Sequence, residues 1–273
     1  MMNNKLNLMI GFPNTGKTTF IAALWKYLKD VKTDNFELDH LPNDREYLEH
    51  LVERWLQCEP VARTITNKYE KVKFTIKTTN DQCFDIVIPD IAGEHYRNLF
   101  HYREIEKNLF SDLSEASGLI VFINSQLDDV SSHNRFGVDD SSENIESNSS
   151  KAPPFSALET PSRIQLVDVL QMILEINTNN IIISIIISAW DLIEDDITPT
   201  KWVQNNIPFL FNFIKHNFND FRYFGISAQG GDYLCEKEEL LSKDSPIERI
   251  KVFDDENCSN DITLPLQFLI KNS

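Results

Sequence analysis

The sequence predicts an α/β fold of three layers, in which a mostly parallel central sheet with one antiparallel edge strand lies between two layers of helices. Three observations predict it. The apolar runs at 6–10, 118–123 and 181–188 are short and, in the last case, β-branched almost throughout, as buried parallel strands are. Between such runs lie longer stretches with apolar residues at helical spacing, 163–176 being the best patterned (Ile164, Val167, Leu170, Leu174). Alternation of the two kinds, broken by one hairpin, points to a mostly parallel sheet.

Residues 6–10 read as a first buried strand. The helix that follows, 19–29, carries Phe20, Ala23, Leu24, Tyr27 and Leu28 on one face. Helical character returns around 44–57. Residues 69–78 alternate in part (Val72, Phe74, Ile76), Asp81 and Gln82 make a turn, and 83–88 completes a hairpin. A helix at 105–113 precedes the central strand at 118–123. The segment 124–161 is rich in Ser, Asn and Asp and closes on Pro153, Pro154 and Pro161, so it reads as a disordered acidic insertion. The helix at 163–176 and the isoleucine-rich strand at 181–188 follow. Residues 199–218 are helical in outline, with Pro208 expected to kink or split them. A last short strand, 222–226, and a helix, 265–271, end the chain. No internal repeat is visible, and the whole of 1–273 reads as one domain.

Composition narrows the function. The hydrophobic share, 41%, is enough for a sizeable core, and the net charge is −16. Nucleic acid and anionic membrane surfaces attract basic faces, so neither is expected as a partner. Cys58, Cys83, Cys235 and Cys258 show no zinc spacing and are too few for a disulfide scaffold. The N-terminus runs into a strand rather than a signal peptide, and no apolar run is long enough to span a bilayer, so a cytoplasmic location is expected.

The chemistry starts at Gly11-Phe12-Pro13-Asn14-Thr15-Gly16-Lys17-Thr18, between the first strand and the first helix. That context is what a phosphate-binding loop needs, and it predicts a P-loop NTPase fold. Gly11 and Gly16 let the backbone turn around a polyphosphate, with N–H groups pointing inward as an anion nest. Lys17 supplies a point charge for the β- and γ-phosphates, and Thr18 a hydroxyl for Mg²⁺. The first turn of the helix, including Thr19, adds its dipole. Asn14 and Thr15 complete the cradle. At the end of the hairpin stands Asp90-Ile91-Ala92-Gly93-Glu94: a carboxylate placed to hold Mg²⁺, usually through water, and a glycine able to offer its N–H to a γ-phosphate.

With these residues the chain resembles the translation-factor-like class of GTPases that includes the Ras-like proteins. The resemblance implies GTP and GDP as ligands, Mg²⁺ as cofactor and action as a switch. Asp90 and Gly93 match the second switch. Thr64 matches the first-switch threonine that binds Mg²⁺ and senses the γ-phosphate, with Thr66 as the fallback. The guanine-reading Asn-Lys-x-Asp of the class is represented by Ser188-Ala189-Trp190-Asp191. Asp191 would accept from the guanine N1–H and amine, whereas the Asn and Lys are not kept; Trp190 is expected in the core. Ser227-Ala228-Gln229 stands for the last base loop, the Ala228 N–H meeting the guanine O6.

Two departures bear on mechanism. Glu94 stands where the class has the Gln that orients water; its charge opposes the phosphate, which predicts slow intrinsic hydrolysis and help from a partner. Asn14 resembles the residue that holds a monovalent cation in potassium-stimulated GTPases, so K⁺ joins the expected cofactors. The Glu94 ending, the long insertion and the stretch Asp261-Ile262-Thr263-Leu264-Pro265-Leu266 are similar to the bacterial double-GTPase group, which implies a role in multi-protein conflict or defence systems. Lys17, Thr64 and Glu94 are the expected catalytic residues. The alternative is a GTPase-like assembly module without significant turnover.

Overall fold

The computed structural model describes residues 4–31, 36–40, 45–60, 71–88, 94–126, 160–193 and 196–272. A nine-stranded mixed sheet organises them, in the order β2-β3-β4-β1-β5-β6-β7-β8-β9. The strands are β1 (Lys5–Ile10), β2 (Phe36–His40), β3 (Val72–Thr78), β4 (Cys83–Ile88), β5 (Ala116–Asn124), β6 (Ile182–Ser188), β7 (Phe221–Ser227), β8 (Lys251–Phe253) and β9 (Cys258–Ser259). The middle of the sheet, β4-β1-β5-β6-β7, is parallel throughout.

The expectation of one antiparallel edge strand is corrected. The β3–β4 hairpin is antiparallel, but β2 pairs antiparallel outside it, and β8 and β9 extend the far side by two more antiparallel pairings. The strand at 222–226 is therefore not the last. β8 and β9 span three and two residues, too few for a periodic signal. β2 does alternate, with Phe36 and Leu38 between Glu37, Asp39 and His40.

Every second residue of the central strands faces one of two cores. On one face Met9, Ile120, Phe122 and Ile186 pack with α1 (Lys17–Asp30), α2 (Arg45–Leu56) and α9 (Leu264–Asn272). On the other Leu8, Val121, Ile185 and Ile187 pack with α3 (Glu94–Tyr102), α4 (Lys107–Glu115), α5 (Ser162–Ile176), α6 (Pro199–Asn206) and α7 (Pro208–Asn217). Because both faces are covered, β6 is buried at all seven positions and reads as a continuous apolar run. Pro208 does split the helix: α6 ends at Asn206, and Ile207 caps α7. Short α8 (Lys237–Leu241) sits between β7 and β8. The stretch beginning at Asp261 is a helix cap. The Asp261 carboxylate accepts from Thr263 N and Gln267 Nε2, at 2.9 and 2.8 Å, and so fixes the start of α9. Burial, then Asp261, pushes the Tyr27 phenol on α1 up to about 12.

Strand register sets what meets at the top of the sheet. Asn124, the last residue of β5, is level with Ser188, the last of β6, and Ser188 is level with Ile226 of β7. Ile10, the last of β1, pairs with Val121. The loops leaving four parallel strands therefore emerge side by side, where ligands bind in open α/β sheets.

Candidate nucleotide site

The loop between β1 and α1 is tight and internally bonded. Asn14 adopts φ 65° and Gly16 φ 76°, two left-handed residues within the three that precede α1. Thr15 Oγ1 donates to the Phe12 carbonyl at 2.8 Å. Lys17 is 3% exposed, and its ammonium donates to the Gly11 carbonyl and, at 2.9 Å, to that of Phe12. The cation is thus held under the loop by the carbonyls that the loop turns inward. Gly16 is the N-cap of α1, with no side-chain cap and no acid in the first turn, so the positive helix end faces the loop without an acid of its own first turn to offset it.

Neighbouring strands brace this loop. A Cβ on Gly11 would lie 2.9 Å from Phe122 Cβ, and one on Gly16 would lie 2.8 Å from Ser188 Cβ. Asn124 Nδ2 donates to the Asn14 carbonyl at 2.9 Å, and Asn124 Oδ1 accepts from Gln126 N at 2.9 Å. Ser125 Oγ donates to the Ala189 carbonyl at 2.7 Å, and Ser188 Oγ to that of Ile123 at 3.2 Å. Ala189, at φ 52°, turns the chain sharply out of β6, and Trp190 drops back into the core. It lies 6% exposed against Trp202 and Phe253, above Gly225, where any Cβ would strike its ring at 2.2 Å.

A cavity of about 590 Å³ opens over these loops. Its wall brings together Asn14, Thr15, Gly16, Lys17, Thr18 and Thr19 at one end with Asp191 and Ala228 at the other. Gly11 and Ser227 stand behind that wall. The Ser227 hydroxyl accepts from Gly230 N at 3.0 Å and shapes the turn rather than facing the cavity. Thr64, Asp90 and Gly93 lie outside the described residues. Glu94 begins α3, but its side chain is likewise outside the description.

Sequence reasoning missed several wall residues. Asn124 and Gln126 reach the cavity from β5, Tyr47 and Glu59 from the α2 region, and Tyr233 and Leu234 from the segment after β7. Asn124 carried a usable signal, a polar residue ending an apolar strand; the others depend on packing between distant segments. Lys17 is the wall's one Lys or Arg among the described residues, and the acids Glu59, Asp191 and Asp232 lie away from the phosphate loop in sequence. One end suits polyphosphate; the other offers a carboxylate and backbone to a planar polar group.

Among the described residues no helix is long and apolar enough to cross a membrane, and no cluster of metal-ligating side chains occurs. A search of curated proteins finds no match. Solved structures similar to the chain include the Arl6 BBS3 small GTPase from Trypanosoma brucei, with bound nucleotide analogue GppNp. It is 13% identical, with a TM-score of 0.41, over 89% of this chain and 100% of that one. The S. cerevisiae Ski7 GTPase-like domain, bound to GDP and inorganic phosphate, is 12% identical with a TM-score of 0.46, over 83% of this chain and 43% of that one. The signal recognition particle receptor SRb-GTP/SRX complex from Chaetomium thermophilum gives 11%, 0.41, 84% and 92%. The family model described as Double-GTPase 1 matches residues 8–269, from the first strand through the last helix. That span takes in the loop after β1 and the residues after β6 and β7 that line the cavity, and the chain belongs to the Double-GTPase 1 family.

Proposed function

We propose that this protein binds GTP with Mg²⁺ in the cavity above β1, β5, β6 and β7, and hydrolyses it slowly as a switch acting on partner proteins. One observation carries the reading: a single cavity is walled by the phosphate-loop residues 14–19 and by Asp191 and Ala228. Gly16 and the uncapped N-terminus of α1 fit a phosphate chain, because the helix end lines the cavity with no acid in its first turn and a side chain at Gly16 would push the loop off Ser188. Lys17 then grips the β- and γ-phosphates, Asp191 accepts from the guanine N1–H and amine, and the Ala228 N–H meets O6. Thr18, Thr64 and Asp90 are the oxygen donors that would hold the metal, a set suited to a hard divalent cation. Bound Mg²⁺ supplies charge neutralisation on the phosphates. Glu94 holds or deprotonates the attacking water, and Gly93 offers its N–H to the γ-phosphate. Asn14 would hold K⁺ beside the phosphates; an unaltered rate on exchanging Na⁺ for K⁺ would remove that part.

The reading includes a single domain over 1–273 with an inserted segment at 124–161, a cytoplasmic setting, and a role in bacterial defence or conflict. Neither nucleic acid nor membrane is a partner in it. A second reading, an assembly module that holds nucleotide without turnover, is favoured by Ser188 and Ala189 standing where the class has Asn and Lys.

The test is GTP against ATP affinity, with and without Mg²⁺, for wild type and Lys17→Ala. Submicromolar to micromolar GTP binding that depends on Mg²⁺ and is lost in the variant is expected. Equal binding by Lys17→Ala, or a preference for ATP, overturns the proposal. Binding without multiple turnover selects the assembly module.

A further inference from the structure

Behind the cavity wall, the base loop is fastened to the end of α2 by side chains far apart in sequence. Trp55 is fully buried and donates from Nε1 to the Ala228 carbonyl at 3.0 Å. Gln229 donates from Nε2 to the Trp55 carbonyl at 3.3 Å and to Cys58 Sγ at 3.1 Å. Arg249, 2% exposed, lies with its guanidinium 4.6 Å from the centre of the Trp55 ring and donates to Cys58 Sγ at 2.7 Å. Its backbone supports the loop as well, since a Cβ on Gly230 would meet the Arg249 carbonyl at 2.3 Å.

Among the described residues no carboxylate pairs with Arg249. Its charge rests on a ring face, a sulfur and the carbonyls of Leu56 and Pro246. Burying an arginine on such partners is costly, and the geometry shows what it holds in place. The guanidinium fixes the plane of the indole, and that plane aims Nε1–H at Ala228. The Ala228 carbonyl is then pinned on one side, and the Gly230 N–H is pinned by Ser227 Oγ on the other. A backbone held at both ends cannot rotate Ala228 away from the cavity it lines.

We infer that Trp55, clamped by Arg249, is a positioning residue for base recognition, preorganising Ala228 so that its N–H selects an acceptor at position 6 of the purine. This rests on the guanine reading above. Nothing in Trp55 touches the nucleotide; its effect passes through one carbonyl. A rigid N–H donates to O6 and meets a second donor in the amine of adenine, whereas a loop free to turn tolerates both.

Trp55→Phe keeps an aromatic face for Arg249 and removes the donor, leaving a cavity where the second ring stood, whose cost falls on both guanine nucleotides alike. The probes are GTP, ATP and 6-thioguanosine triphosphate, which retains the N1–H and 2-amine for Asp191 but presents a weaker acceptor at position 6. For Trp55→Phe, GTP affinity should fall about three- to tenfold, the worth of one neutral hydrogen bond. 6-Thioguanosine triphosphate should fall by less than twofold, with KM for GTP raised and kcat kept. Equal losses for the two guanine nucleotides, or no loss, overturn the inference while leaving the guanine reading intact. A wild-type protein that binds ATP as well as GTP overturns both. Should Trp55→Phe fail to fold, Gln229→Met, at a partly exposed site, must show the same GTP-selective loss or the inference falls.

Discussion

Replacing Gly16 by Ala tests the cradle directly. Gly16 sits at φ 76°, ψ 4° as the N-cap of α1. An L-residue held there costs about 1–2 kcal/mol. The added methyl would lie 2.8 Å from Ser188 Cβ and 2.9 Å from its Oγ, closer than carbon atoms tolerate. Ser188 has no room to retreat, because β6 is hydrogen-bonded on both sides and Ser188 Oγ is tied to the Ile123 carbonyl. Overpacking of that kind adds about 1–3 kcal/mol. The sum is roughly 2–5 kcal/mol, and its middle lowers Tm by about 7–14 °C for a chain of this size. Thermal unfolding with and without GTP and Mg²⁺ is the assay. The ligand-induced rise in Tm should also shrink, because the displaced loop loses its inward N–H groups. The double variant Gly16→Ala/Ser188→Gly relieves the clash but not the backbone angle, so it should recover about 1–2 kcal/mol relative to additivity. A melting point within 1 °C of wild type, or strict additivity in the double variant, would refute the reasoning.

Further expectations concern the base, the water and the sheet. Asp191→Asn exchanges an anionic acceptor for an amide; GTP binding should weaken by about 2–3 kcal/mol, roughly 30- to 150-fold, while xanthosine triphosphate, whose C2 carbonyl can accept from the amide, should gain. Titration of both nucleotides checks this, and an unchanged GTP affinity removes Asp191 from the site. Glu94→Gln removes a charge that opposes the phosphate and should raise single-turnover GTP hydrolysis about tenfold; an unchanged rate excludes Glu94 from the mechanism. In the sheet, burial pushes the Asp85 carboxyl up, but hydrogen bonds from Lys73, Thr75 and Asn4 outweigh it and hold the group below the ordinary 3.8. Its folded value being depressed, the stability it contributes is present above pH 3.8 and lost as pH falls through the folded value. Denaturant midpoints should therefore drop less between pH 6 and pH 3 for Asp85→Asn than for wild type; parallel drops would show that the network contributes nothing.

The legible part of this fold is the part built from local rules. The strands β1, β5, β6 and β7 are apolar because both faces of the sheet are covered, and they were visible for that reason. The split at Pro208 follows from proline's missing N–H and ring geometry, which act within one turn. α3 was not anticipated. It follows directly on the Asp90–Glu94 motif, and its helical pattern is only nine residues long. β8 and β9 exist because β7 offers an open edge to whatever strand lies beside it, a property of the assembled sheet rather than of Lys251–Phe253. The one-edge-strand expectation failed there, since a two-residue strand carries no period.

The site divides along the same line. The loop of Gly16, Lys17 and Thr18 was legible because it is one continuous segment, whose backbone angle at Gly16 favours glycine and which opens directly into α1. The other end of the cavity is different in kind. Asp191 and Ala228 follow two different strands, and Ala228 is steadied from still farther away, by Trp55 of α2 with Arg249, from beyond α8, against its ring. Where the class has Asn and Lys, Ser188 and Ala189 leave a small side chain against Gly16 and a left-handed turn. Both line the cavity, but neither side chain has the length or the amide of the residue it replaces. The rigidity of the loops then comes from bonds between them and their neighbours, Ser125 to Ala189, Asn124 to Asn14 and Trp55 to Ala228. Discrimination in such a site depends less on the residues that touch the purine than on how little the backbone carrying them can move.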